Sequence, residues 1–196
     1  MVYHFDGLYK GSDKTKWTDL VSNAYFTFNE HSSVNYNSII LDGSGYLTGN
    51  INMSIASNIG TIEVCAEQTV SGSAIIFLSA GTTNLSAIIS GSGMCFKAAN
   101  SGNNQFVLTK TNNFTWSSTN QMCLYNGTKY TALSENNWNN NNTTSTILGA
   151  RSSNSPYYYF TGKIHAIRIY NRQLSEEEML FNQQLDNVRF NLNLTI

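Results

Sequence analysis

Short apolar runs separated by turn residues fill most of this chain, and their dominant period is two. Residues 2–5 (VYHF), 24–28 (AYFTF), 38–41 (SIIL) and 61–67 (TIEVCAE) each read as strands. In the last of these, Ile62, Val64 and Ala66 share one face, while Glu63, Cys65 and Glu67 share the other. Alternation of side chains makes one face core, and the aliphatic one is the expected side. Strand-like runs at 74–78, 85–89, 94–98 and 106–109 follow at short intervals, punctuated by Gly72, Gly81, Gly91, Gly93 and Gly102. Residues 122–125 and 128–133 flank Asn126-Gly127, the dipeptide best suited to a two-residue hairpin turn. Many short strands with this spacing predict an all-β protein built as an antiparallel two-sheet sandwich.

The segment 157–179 changes the pattern. Ile164, Ile167, Ile169 and Tyr170 predict a strand, and a short helix follows it directly. Ser175 stands as N-cap with Glu178 three residues on, the spacing of a capping box. Glu176, Glu177 and Glu178 fill the first turn, where the helix dipole favours negative charge. Residues 188–196 (VRFNLNLTI) alternate cleanly and are read as a last strand or a tail. Trp17 is expected to anchor the corner after the first strand, and Trp116 is assigned to packing. The low-complexity stretch 134–145 reads as a solvated loop carrying Trp138.

Four segments together resemble the laminin G-like jelly-roll domains of the concanavalin A-like lectin/glucanase superfamily. The closing run F-x-G-K-I-x-x-I-R-I-Y-N-R-x-L-S-x-E-E, from Phe160 to Glu178, is the most specific. Phe5-Asp6-Gly7 with Trp17-Thr18-Asp19-Leu20 and Asn23 resembles the family's opening. Gly60 to Val64 resembles its "F-T-I-E-V" strand, and Leu124-Tyr125-Asn126-Gly127 with Thr146 to Gly149 its "L-Y-V-N-G … L-T-I-G". Ser22 and Cys65 depart from the pattern. The resemblance runs from about residue 3 to 190 and implies a jelly-roll sandwich, taken as a single domain over 1–196. It also implies a recognition module of the kind found in secreted bacterial proteins, adhesins and phage virions.

Composition narrows the partners. Charged residues make up 12% and the net charge is −1, which gives no electrostatic draw toward nucleic acid. The three cysteines, Cys65, Cys95 and Cys123, are odd in number and unrelated in spacing, so neither a disulfide framework nor a zinc site is expected. Each sits in a strand-like run and is expected to be a reduced, buried small hydrophobe. No apolar run is long enough for a membrane span, and no signal peptide is read at the start. An extracellular, cell-surface or virion location is expected.

Three sets of residues bear on catalysis or metal binding. Glu63 and Glu67 have the outer spacing of the glucanase E-x-D-x-E motif, but Cys65 replaces the central Asp, so hydrolysis is not expected. His4, His31 and His165 are scattered and lack any nucleophile motif. Asp6, Asp13, Asp19 and Asp42 leave calcium open at the rim, as some relatives have it; no other cofactor is called for. Binding is the better-supported class. Sugar recognition needs a ring face for C–H groups and amides for hydroxyls. Trp138 with Asn137 and Asn139 supplies both in one loop, and Tyr157 and Tyr158 after Asn154 supply both in another. These residues are the expected contact for a glycan or cell-surface protein. The alternatives are a virion structural domain whose partner is its own oligomer and, less favoured, a glycoside hydrolase.

Overall fold

The computed structural model describes residues 1, 3–51, 60–70, 74–80, 86–90, 93–97, 104–106, 111–119, 122–131, 145–150 and 158–196. The side chains of 74–80, 86–90, 93–97, 104–106 and 145 fall outside that description. Two antiparallel sheets face each other, as the alternation and the resemblance predict. The first sheet holds β14 (Thr128–Thr131), β13 (Met122–Tyr125), β12 (Asn113–Ser118), β7 (Thr61–Gln68), β16 (Thr161–Tyr170), β5 (Ile39–Asp42) and β4 (Ser32–Val34), in that order. A further strand, β1 (Tyr3–Asp6), pairs with the second half of β16. The second sheet runs β11 (Asn104–Phe106), β10 (Gly93–Lys97), β9 (Ser86–Ser90), β8 (Ala74–Ala80), β15 (Ser145–Leu148), β6 (Leu47–Gly49), β3 (Tyr25–Thr27) and β2 (Lys16–Thr18). One helix, α1 (Glu176–Phe190), closes the chain.

The core lies between the sheets. Ile62, Val64 and Ala66 of β7 face it, with Phe114 and Trp116 of β12 and Phe5 of β1. Trp17 is fully buried against Phe5, ring centroids 5.5 Å apart, and its indole N–H donates to the Asp6 carbonyl at 3.0 Å. Both tryptophans assigned to packing are therefore core. The predicted hairpin forms at Asn126-Gly127, with φ of 47° and 75° at its two central residues. Positive φ at both positions is what a type I′ turn requires, and Asn-Gly tolerates it.

β16 carries Ile164, Ile167 and Ile169 into the core, a set that strict alternation would split between two faces. A register shift between Ile164 and Ala166 resolves this. His165 is the extra residue of a β-bulge, so the strand flips phase once and all three isoleucines face inward. At Gly162, φ is 152° and a Cβ would sit 1.9 Å from the Glu67 carbonyl oxygen, so the strand passes its neighbour only with glycine there.

The helix forms where predicted, 15 residues long with its Ser175 capping box in place. Two other expectations are corrected here. The helix extends through Val188 to Phe190, so residues 188–196 are not a last strand: Asn191 caps the helix in the left-handed conformation and the tail folds back. The face of β7 bearing Glu63 is not wet either. α1 lies over it, because its buried side chains include Gln183 and Asp186, which suit a polar sheet surface. The helix's opposite face leaves Phe181, Leu185 and Val188 exposed.

Candidate ligand-binding surface

The paired carboxylates lie on the outer side of the first sheet, and the tyrosine segment lies against the end of β15 in the second. On the outer side of the first sheet, Glu63 is opposite Arg168 in the β7–β16 ladder, and Glu67 is opposite Lys163. Opposite charges directly across a ladder stabilise the pairing. Glu63 is only 3% exposed. Its carboxylate accepts from Ser117 Oγ at 3.0 Å, the Tyr170 hydroxyl at 3.2 Å and Asn182 Nδ2 at 3.0 Å. Burial raises its pKa, opposed by the charge of Arg168 and the Asn182 hydrogen bond. A raised carboxyl pKa is a mark of general acids, but α1 roofs this one. Arg168 itself forms a bidentate pair with Asp186 of the helix, at 2.8 and 2.5 Å. Glu67 binds Lys163 at 2.9 Å. The two glutamates are therefore engaged within the sheet and, for Glu63, with its helix.

The four aspartates hold separate local posts. Asp6 accepts from the Leu8 N–H at 2.8 Å and from Arg189 at 2.5 Å. Asp19 accepts from the backbone N–H groups of His4 and Ser22. Asp13 caps a turn at Thr15, and Asp42 accepts from the Ser44 N–H and lies 3.2 Å from His31. Among the described residues no cluster of three His, Cys, Asp or Glu side chains suits a metal ion. Cys65 and Cys123 are free and buried; burial pushes the Cys123 thiol up to about 12. Cys95 lies in β10, its side chain outside the described set. His165 is buried, its Nδ1 3.1 Å from the Asn37 carbonyl oxygen.

On the outer side of the second sheet, tyrosines gather. Leu148 of β15 points into the core, so Ile147 points outward. Ile147 is nevertheless 1% exposed, because with Ala150 it lies beneath Tyr46 and Tyr159. The Phe160 N–H donates to the Gly149 carbonyl at 2.8 Å, which pins the tyrosine segment to the end of β15. Phe160 is core, Tyr159 is half-buried and Tyr158 is 48% exposed. Tyr158 also adopts φ of 55°, which costs energy in a bulky residue. The result is a shelf of half-buried Tyr46 and Tyr159 on an aliphatic floor of Ile147 and Ala150, with exposed Tyr158 next to Tyr159 in the chain.

Of the expected contact residues, Tyr158 adjoins this shelf in the chain. Trp138, Asn137, Asn139, Asn154 and Tyr157 lie outside the described residues. Tyr46 was missed by the sequence reading. Its signal is modest: Tyr46 precedes core Leu47, and a ring one residue out of phase with the core faces outward.

A family model described as the concanavalin A-like lectin/glucanases superfamily, laminin G type, matches residues 41–179. No curated protein sequence matches the chain. The fold is similar to that of a Trypanosoma rangeli sialidase in complex with sialic acid, at 11% identity and a TM-score of 0.67. That match covers 95% of this chain and 33% of the sialidase. It is also similar to the binding domain of botulinum neurotoxin DC in complex with rat synaptotagmin II, at 10% identity and a TM-score of 0.68. There the match covers 94% of this chain and 51% of the other, so the chain spans a third to a half of these structures. At such identities the likeness is one of fold. No described helix is long and apolar enough to cross a membrane.

Proposed function

The chain belongs to the concanavalin A-like lectin/glucanases superfamily, and we propose that it acts as a non-catalytic recognition module for glycans on a cell surface. The observation that carries this reading is the tyrosine shelf. Tyr158 stands exposed with φ of 55°, next in the chain to Tyr159, which packs with Tyr46 on Ile147 and Ala150. Rings presented this way offer flat faces to sugar C–H groups and hydroxyls to sugar oxygens. The proposed contact also takes in Trp138, Asn137, Asn139, Asn154 and Tyr157, which flank residues 145–150 in the sequence. The carboxylates do not compete with this reading, since α1 roofs Glu63 and Lys163 engages Glu67. The matched structures support a recognition role: one holds sialic acid and another a receptor protein. The module works as one domain, outside the cell or on a virion. A glycan array tests this directly. Retention on a defined glycan class, lost in Tyr158→Ala, is the expected result; no retention on any glycan contradicts it.

One observation favours a second reading, a virion or fibre domain that assembles with itself. Phe181, Leu185 and Val188 face away from the sheet on α1. A sedimentation measurement decides: a stable oligomer dissolved by Leu185→Glu supports assembly, and a monomer leaves the lectin reading alone.

A further inference from the structure

The bulge residue His165 has an arrangement that neither ligand binding nor core packing uses. It is 2% exposed. Its Nδ1 lies 3.1 Å from the Asn37 carbonyl oxygen, and a carbonyl accepts only, so Nδ1 carries the hydrogen. Nε2 is then the bare acceptor of a neutral ring, and it is buried with no hydrogen-bond partner among the described residues. The ring packs on Phe190, the last residue of α1, with centroids 5.0 Å apart. Phe190 and Leu192 cluster with Cys65 and Ala166 on the outer face of the first sheet, with Leu8 and Leu194 against them. Helix end, tail and His165 thus roof the Cys65 thiol.

We infer that His165 is a proton-operated latch: charging its ring lifts Phe190 and residues 191–196 off the sheet and uncovers Cys65. An imidazolium needs an acceptor at both nitrogens, and Nε2 has none among the described residues in the closed state. Opening hydrates it. The groups around the ring do not supply a substitute. From β16 come Lys163 and Arg168, the first bound to Glu67 and the second to Asp186 of α1. From β7 comes Glu67, and from α1 comes Asp186, whose negative charges act on the ring from a distance while each is bound to its own cation. Arg189 of α1 is bound to Asp6 and lies 5.2 Å from the Phe190 ring centroid. Asp6 is held at about 2 and keeps its charge through mild acid, so the helix stays docked as far as Arg189. The movement is thereby confined to the segment beyond it. The contacts that hold that segment among the described residues include Asn187 with Leu192 and Leu194, Asn113 with Leu192 and Ile196 beside Gly127, all of them uncharged.

Burial lowers the His165 pKa beneath the ordinary 6.5, the Asn37 hydrogen bond opposing this. A group whose folded value is depressed this way leaves the open state binding more protons as pH falls below 6.5. The opening equilibrium then grows by up to about tenfold per pH unit. The test labels the full chain with dithiodipyridine from pH 7.5 to 5, maps each cysteine by mass and compares wild type with His165→Gln at each pH, so that the thiolate fraction cancels. The wild-type-to-variant ratio of Cys65 rates should rise by up to tenfold per unit below pH 6.5, and Cys65 should react faster than Cys123, which the core buries and only wider unfolding exposes. A flat wild-type-to-variant ratio at Cys65, or a Cys65 rate no faster than that of Cys123, overturns the latch. If His165→Gln does not fold, the wild-type His165 ring protons decide by NMR. Their titration must span the pH range of the opening, and a ring that titrates elsewhere overturns the proposal.

Discussion

Asp6 shows how single residues carry the fold. Burial alone would raise its pKa, but hydrogen bonds from His4, Arg189 and the Leu8 N–H hold it at about 2, against an ordinary 3.8. A depressed carboxylate contributes stability that is present above pH 3.8 and is lost as pH falls toward 2. The shift corresponds to about 2 kcal/mol. Asp6→Asn should therefore lower the neutral-pH unfolding free energy by roughly that amount and flatten its fall between about pH 4 and pH 2. Denaturant titrations at several pH values measure both; an unchanged acid slope contradicts the assignment. At this scale the sequence was legible for apolar residues and silent for charged ones. Trp17, Trp116 and the β7 aliphatic face are core as read. Glu63 read as wet because alternation gives a strand two faces and says nothing of what later covers the second.

α1 explains what was illegible at the scale of elements. Its start was visible, since Ser175, Glu178 and the acidic first turn are local signals. Its length was not. The helix buries Gln183 and Asp186 and exposes Phe181, Leu185 and Val188, which inverts the apolar stripe that sequence periodicity detects. Residues 188–196 then pass for an alternating strand. The His165 bulge hid for a similar reason: one extra residue shifts phase, and only the registered partner strand reveals it. Two predictions belong here. Ser175→Ala removes the cap and should destabilise the protein by about 1 kcal/mol, read from the denaturation midpoint. Gly162→Ala forces a Cβ into the Glu67 carbonyl at a φ that side chains rarely adopt, and should cost about 3 kcal/mol or more. A Gly162→Ala variant of native stability would contradict the described path of β16.

For the molecule as a whole, the family and sandwich were readable because they rest on repeated alternation and four ordered motifs spread along the chain. The candidate surface draws on positions far apart in the chain: Tyr158 is exposed as a loop aromatic, whereas Tyr46 lies just before β6 and packs with Tyr159 on Ile147, a grouping that needs the pairing of β6 with β15. The proposed recognition role carries its own prediction at Glu63, which α1 covers: incubation with β-glucan should release no reducing sugar, and release abolished by Glu63→Gln would contradict it. The most direct test of the recognition surface is a paired measurement, a binding isotherm for an array-identified glycan beside a denaturation midpoint. Tyr158→Ala and Trp138→Ala should each weaken binding by about 1–3 kcal/mol, as truncated aromatic anchors do, while stability changes little. Trp17→Ala, the core control, should instead lose about 3–5 kcal/mol of stability. Unaltered affinity in both surface variants, or loss of binding only where the domain also unfolds, would contradict the tyrosine shelf as the ligand site.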